Sequence, residues 1–174
     1  VFRPIDLWGE LEKAGIRAVP IVCLISFMIG VIIAFVGVMQ LKMFGAEIYV
    51  AALLAIATTR ILGAIMTGII MSGRTGASYA AEIGAMQVNQ EIDALATMGV
   101  QPIDFLVLPR ILALTITMPI LTIMADIVGI LGGACIALML MNVSMTVYWA
   151  MTFDWITFNN FAIGVLHGWV YGWV

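Results

Sequence analysis

The chain has 174 residues, of which 64% are hydrophobic and 10% charged, with a mean hydropathy of +1.16. Soluble domains average about 45–50% apolar and about 25% charged residues, so this composition excludes an ordinary soluble enzyme and specifies an all-α, polytopic membrane protein. A net charge of −3 with no basic block argues against a nucleic-acid partner.

Residues 5–17, "IDLWGELEKAGIR", place Asp6, Glu10, Lys13 and Arg17 on one helical face and Leu7, Trp8, Leu11 and Ala14 on the other. The pattern predicts an interfacial amphipathic helix over 1–17; the alternative is an ordinary helix packed on a partner. Residues 18–41 then run 24 residues without a charge, about 36 Å of helix and enough to span a bilayer. Pro20 falls in the first turn, where proline is tolerated. This run lacks a small-residue cleavage site and is too long for a signal core, so a cleavable signal peptide is not expected here.

A second span is predicted over 48–73, interrupted only by Arg60. A polar region, 74–105, separates it from a third membrane segment over 106–141, whose uninterrupted apolar run, 111–141, contains Pro119 and Asp126. That run exceeds what a bilayer needs, which predicts a tilt, a kink at Pro119 or an extension into water. Residues 142–160 are mixed and carry interfacial aromatics, Tyr148, Trp149 and Trp155. A fourth membrane segment is predicted over 161–174, and the chain stops in an apolar run at "GWVYGWV". Both ends read as cut from a longer chain, with a final span expected beyond.

Arg3, Lys13, Arg17, Arg74 and Arg110 flank one side of these spans and Lys42 the other. The positive-inside rule therefore puts the N-terminus and the 74–110 region in the cytoplasm. Ala51, Ala55, Thr59 and Gly63, and again Ala125, Gly129, Gly133 and Ala137, repeat every four residues. Such ridges predict close helix packing rather than chemistry.

Gly73 to Gly76, "GRTG", suggests a phosphate loop but lacks the lysine of G-x-x-x-x-G-K-[ST] and a preceding strand. The segment after it has helical character, with Val88, Ile92 and Leu95 forming an apolar stripe beside Asn89, Glu91 and Asp93. Asn89 is expected to cap a helix whose first turn carries the two acids, and Gly99 and Pro102 to end it. An acidic helix between two spans reads either as a passive loop or as a docking element for a cytoplasmic partner. Cys23 and Cys135 lie in apolar runs, the single His167 cannot form a metal cluster alone, and no nucleophile–base set appears, so neither a metal site nor a catalytic residue is assigned. The sequon at Asn142-Val143-Ser144 is too common a pattern to carry weight.

Arg60 and Asp126 are the intramembrane charges, which are costly and functional candidates by default. Arg60 lies 14 residues before Arg74 and Asp126 lies 16 residues after Arg110, about 21 and 24 Å along helices of opposite direction. Similar depth predicts an Arg60–Asp126 pair; the rival reading is that Arg60 meets a lipid phosphate, for which a guanidinium is suited.

"GRTGASYAAEIGAMQVNQEIDALATMGVQPIDFLVLPR" (73–110) resembles the signature region of MlaE-type (YrbE-type) permeases, with A-E-I-G-x-M, E-I-D-A-L-x-x-M-G and L-V-L-P-R in register. "FGAEIYV" (44–50) and "ADIVGILGG" (125–133) extend the resemblance along nearly the whole chain. It implies the permease subunit of an ABC transporter moving phospholipid between the inner and outer membranes of Gram-negative bacteria. It further implies five spans, a homodimer in the inner membrane, a cytoplasmic ATPase that holds ATP and Mg, and a periplasmic MCE-domain protein. Coupling to the ATPase falls on Glu82, Gly84, Met86, Glu91, Asp93, Leu95 and Met98. The lipid cavity, shared between two copies, falls on Phe27, Val31 and Phe35 of the first span with Arg60, Asp126 and His167. Two departures stand out: "RILGA" (60–64) replaces R-E-L-G-P, and "HGWVYG" (167–172) replaces K-S-x-x-F-G. The competing functions are an ATP-independent secondary transporter or channel, against which no inverted repeat and no carboxylate chain is seen, and a structural anchor for a periplasmic assembly.

Overall fold

The computed structural model describes residues 9–99, 101–140 and 144–173, and these are helical with short connections and no strand among them. Six helices follow in chain order: α1 (Gly9–Lys42), α2 (Tyr49–Val88), α3 (Glu91–Thr97), α4 (Phe105–Leu140), α5 (Met145–Trp155) and α6 (Phe158–Tyr171). α1, α2 and α4 are long and apolar enough to cross a membrane. α6, the fourth expected segment, has 14 residues and spans about 21 Å.

The α1–α4 crossing is the centre of the fold. Val22, Ser26, Gly30, Ala34 and Val38 recur every fourth residue along α1 and are all buried, while bulky residues between them such as Phe27, Ile32 and Phe35 are exposed. Opposite them lie Ala125, Gly129, Gly133 and Ala137 of α4, the predicted ridge, also buried. A Cβ on Gly30 would overlap the Gly129 carbonyl, and one on Gly132 would reach 2.5 Å from the Phe27 carbonyl. The helices therefore meet backbone to backbone. In lipid, where apolar burial gives no drive for association, close contact of this kind supplies the attraction.

α2 packs the predicted Ala51, Ala55, Thr59 and Gly63 ridge inward. α6 reaches it through Gly164, whose Cβ would overlap the Thr59 carbonyl. Two apolar clusters fill the bundle. One holds Val38, Val50, Leu54, Ile130 and Ala134 beneath Tyr148; the other holds Ala14, Ala18, Val22, Met71, Met118 and Leu121 at the opposite end. Buried threonines satisfy their hydroxyls on their own helices: Thr59 donates to Ala55 O at 2.7 Å, Thr67 to Gly63 O at 2.7 Å, and Thr122 to Met118 O at 2.9 Å. Each hydroxyl thus enters the apolar interior without a cross-helix partner.

Four expectations change. The N-terminal segment, as far as it is described, runs into the first span with only a turn at Arg17–Ala18 between them, and Ala14 and Gly15 are buried against the bundle; Asp6, Leu7 and Trp8 lie outside the described residues. The second helix does not end at Gly73: Ser72–Gly76 is a π-helical turn inside α2, which runs through "GRTG" to Val88. α2 is consequently 40 residues long, about 60 Å, so about half of it extends beyond a hydrocarbon core of about 30 Å. Asn89 does not cap α3; Gln90 occupies the cap position in a left-handed conformation and makes no side-chain cap bond. Residues 145–155 form a helix rather than an irregular interfacial stretch, because Tyr148 turns inward and its hydroxyl donates to Ile130 O at 3.0 Å. Pro119 sits inside an unbroken α4, and Gly99, at φ +75°, follows α3 as expected.

Gly30→Val should lower thermal stability sharply in detergent, by about 1–3 kcal/mol or more, because the obstacle is a backbone carbonyl. Gly76→Ala, with nothing within 4 Å of its Cβ, should leave stability unchanged or raise it by up to about 1 kcal/mol. Equal melting shifts for the two variants would contradict the packing described.

Candidate functional site

Two places in the bundle carry polar chemistry. The first is mid-membrane, where α2 widens into a second π-helical turn, Thr58–Leu62. Single π-turns inside α-helices recur at functional sites. This one carries Thr58 and Thr59 inward and Arg60 outward, exposed on the flank of the protomer. Asp126 lies on the inner side, 2% exposed, with its carboxylate against Gly63; a Cβ there would overlap it. Neither carboxylate oxygen has a hydrogen-bond partner, and Ser26 Oγ is likewise unpartnered. Ser26, Thr58, Gly63 and Gly129 border a cavity of about 10 Å³, at the lower limit of one water.

The expected Arg60–Asp126 pair is therefore not formed. Chain length constrains depth, but depth does not fix azimuth: Arg60 follows the buried Thr59 and turns outward, while Asp126 is enclosed. Of the predicted cavity residues, Arg60 and His167 are exposed, as are Phe27 (37%) and Phe35 (45%), with Val31 intermediate. Phe27, Val31 and Phe35 share one outward stripe of α1. Asp126 does not belong with them: it is enclosed inside the protomer.

The second place is the end of the bundle where the cations gather. Glu82, on the projecting part of α2, forms an ion pair with Arg110 Nη2 at 2.9 Å and lies 3.8 Å from Lys13 Nζ, so one carboxylate joins α1, α2 and α4. Lys13 also meets Glu10 at 3.4 Å. Arg110 is 7% exposed and its guanidinium carbon sits 5.2 Å from the centre of the Tyr79 ring. Arg74 Nη1 donates to the Arg17 carbonyl, covering one of the carbonyls left free where the N-terminal turn of α1 ends. Lys13, Arg17, Arg74 and Arg110 thus share one end of the bundle, while Lys42 closes the other end of α1, the grouping that the positive-inside argument assigned to opposite sides.

Glu82, one of the expected coupling residues, is exposed and at the same time bridges α2 to Lys13 of α1 and Arg110 of α4. The remaining coupling residues are carried by the hairpin of α2 and α3 beyond the bundle. Gly84, Glu91, Asp93 and Met98 are exposed, and Met86 and Leu95 are intermediate. Val88 (83%), Met98 (73%) and Ile103 (71%) leave bulky apolar side chains uncovered around the two acids. The bridge escaped sequence reading because Lys13 and Arg110 served there only as topological markers, and no local spacing links residues so far apart in the chain.

With this geometry in place, comparison with known proteins is decisive. The Permease MlaE family profile matches residues 7–174. The chain belongs to the MlaE permease family. It is 34% identical over 165 residues to a probable ABC transporter permease protein of Rickettsia typhi, covering 95% of this chain and 64% of that protein. It is 30% identical over 142 residues to the intermembrane phospholipid transport system permease protein MlaE of Haemophilus influenzae, covering 82% of this chain and 54% of the relative. It is 31% identical over 138 residues to the chloroplastic protein TRIGALACTOSYLDIACYLGLYCEROL 1 of Arabidopsis thaliana, covering 79% and 39%. The chain thus spans less than two thirds of the length of these MlaE-family relatives, and it is a multi-pass membrane protein like the family it joins.

A double-mutant cycle of Arg60→Ala and Asp126→Asn on thermal stability should give a coupling within about 0.5 kcal/mol of zero, the additivity of sites that do not touch. Glu82→Gln should instead cost about 1–3 kcal/mol, since it strips the charged acceptor from a buried guanidinium. Combining it with Arg110→Gln should show clear coupling in the same melting assay.

Proposed function

We propose that this chain is the membrane-spanning part of an ABC permease that moves phospholipid between membranes and holds no catalytic residue of its own. ATP and Mg would belong to a cytoplasmic ATPase, and a second copy of the chain would complete the pathway. The observation that carries the reading is the helical hairpin of α2 and α3. It projects from the cation-rich end of the bundle and presents Val88, Met98 and Ile103 around Glu91 and Asp93. Exposed apolar side chains beside charges are the usual make-up of a docking surface.

The cation-rich end is cytoplasmic on this reading, in keeping with the positive-inside rule, and the protein sits in a bacterial inner membrane. Residues 74–105 form the coupling region. An MCE-domain protein would meet the opposite, periplasmic end. Phe27, Val31 and Phe35 are offered to acyl chains or to the second copy, and Arg60 and His167, also exposed, would supply polar groups to the lipid pathway. A guanidinium held in an apolar wall binds a phosphate through paired N–H donors. The Glu82 bridge gives the hairpin a mechanical path to α1 and α4. A push on α2 at its projecting end is felt by Lys13 and Arg110 through charge-assisted bonds. Asp126, enclosed inside the protomer, serves the inner packing of α2 on α4.

Reversing both acids, as in Glu91→Lys with Asp93→Lys, should abolish phospholipid transfer in proteoliposomes containing the full transporter, while the protein still inserts and melts normally. ATP hydrolysis should lose its dependence on the permease. Unimpaired, ATP-driven transfer by that variant would remove the docking assignment.

A further inference from the structure

A polar cavity of about 170 Å³ opens at the cation-rich end, between the start of α1 and the projecting part of α2. It is lined by Lys13, Arg17, Arg74, Ser78, Tyr79 and Glu82, among others. The charges there do not cancel. Glu82 is taken up by Arg110 and Lys13, and Lys13 is shared with Glu10. Arg17 and Arg74 make no ion pair among the described residues, and Arg74 spends one N–H on a backbone carbonyl. Two guanidiniums therefore border the cavity with most of their donors free.

A second observation lies in its wall. Tyr79 is 9% exposed; its buried hydroxyl lies near the Glu10 carboxylate but completes no hydrogen bond with it, and Glu10 Oε2 is likewise buried without a partner. A buried, unsatisfied hydroxyl costs about 1–3 kcal/mol, and such a group calls for a ligand or water. Ser78 adds a hydroxyl on the same wall.

We propose that this cavity is an anion site for a phosphate group, bound by Arg17 and Arg74 with Tyr79 and Ser78 as hydrogen-bond donors, and separate from the membrane-facing Arg60. The chemistry follows from the donor set. Guanidiniums form forked, charge-assisted bonds to phosphate oxygens, and hydroxyls complete a tetrahedral anion. The phosphate is carried either by the head group of an anionic lipid in the adjoining leaflet or by inorganic phosphate. The cavity lies beside the last turns before the bilayer, so a head group reaches it while its acyl chains stay in lipid. The neighbouring apolar groove between Ile16, Val19, Ile120 and Leu121 offers them a surface. Occupancy would tie the N-terminal turn of α1 to α2, next to the Glu82 bridge.

The test uses the full-length protein in two arms. In the first, protein reconstituted in vesicles of phosphatidylcholine with phosphatidylglycerol is extracted, and retained lipid is read by native mass spectrometry. Wild type should keep phosphatidylglycerol preferentially, and Arg17→Gln with Arg74→Gln should weaken retention by about thirtyfold. Tyr79→Phe keeps the ring over Arg110 and should weaken it less, and Arg17→Gln alone leaves the Arg74 bond to the Arg17 carbonyl in place. Lys42→Gln, at the other end of α1, should leave this preference intact. In the second arm, inorganic phosphate is titrated in phosphatidylcholine alone and melting is followed. A rise in melting temperature in wild type but not in the double variant, without lipid preference in the first arm, assigns the site to free phosphate. If neither arm separates wild type from the double variant while both melt alike, or if Lys42→Gln removes the lipid preference as fully as the double variant does, the proposal is overturned.

Discussion

Everything in this fold depends on how closely helix backbones approach without water to drive them together. Gly30 on Gly129, Gly132 on Phe27, and Gly164 on Thr59 remove the side chains that would hold the helices apart. The attraction that remains is dispersion at short range, steep in distance. This is why the buried stripe of α1 is built from Ser26, Gly30 and Ala34, while the bulky Phe27 and Phe35 are turned outward. The same constraint governs polar groups. Buried threonines close on their own carbonyls, and Asp126 fits only because Gly63 yields the space for its carboxylate.

Outside the hydrocarbon, charge replaces close packing. One end of the bundle is held by Glu82 between Lys13 and Arg110, by Arg110 over Tyr79, and by Arg74 on the carbonyl of Arg17. These contacts fix the first turns of α1 and α4 to the part of α2 that leaves the membrane. α2 is thus a single lever, small-residue packing at one half and an exposed hairpin at the other. Its two π-helical turns, Thr58–Leu62 and Ser72–Gly76, lie at the middle and at the exit. A lever of this shape is what the proposed function needs, since it links the exposed hairpin to the packed half of α2.

Much of this was legible in the sequence. The three long membrane helices followed from run length, and the Ala125–Gly129–Gly133–Ala137 and Ala51–Ala55–Thr59–Gly63 ridges followed from four-residue spacing. The equivalent ridge of α1 was hidden because Val22 and Val38 flank the small residues in a helix apolar on every face. Azimuth was not legible: Arg60 follows the buried Thr59 and turns outward, while Asp126 is enclosed against Gly63. The second span read as ending at Gly73, yet the helix runs through "GRTG" to Val88. Tyr148 carried an interfacial composition but found an internal carbonyl, a tertiary contact no local pattern encodes.

The central claim is that the projecting hairpin of α2 and α3 is where an ATPase drives this permease. The most direct measurement is site-specific crosslinking from Val88→Cys and Met98→Cys in the full-length protein co-expressed with its partners. Both positions should give a defined adduct with a nucleotide-binding subunit, with a yield that changes between ATP-bound and ATP-free states. Crosslinks confined to lipid or to the permease itself, together with lipid transfer that proceeds without ATP, would contradict the account.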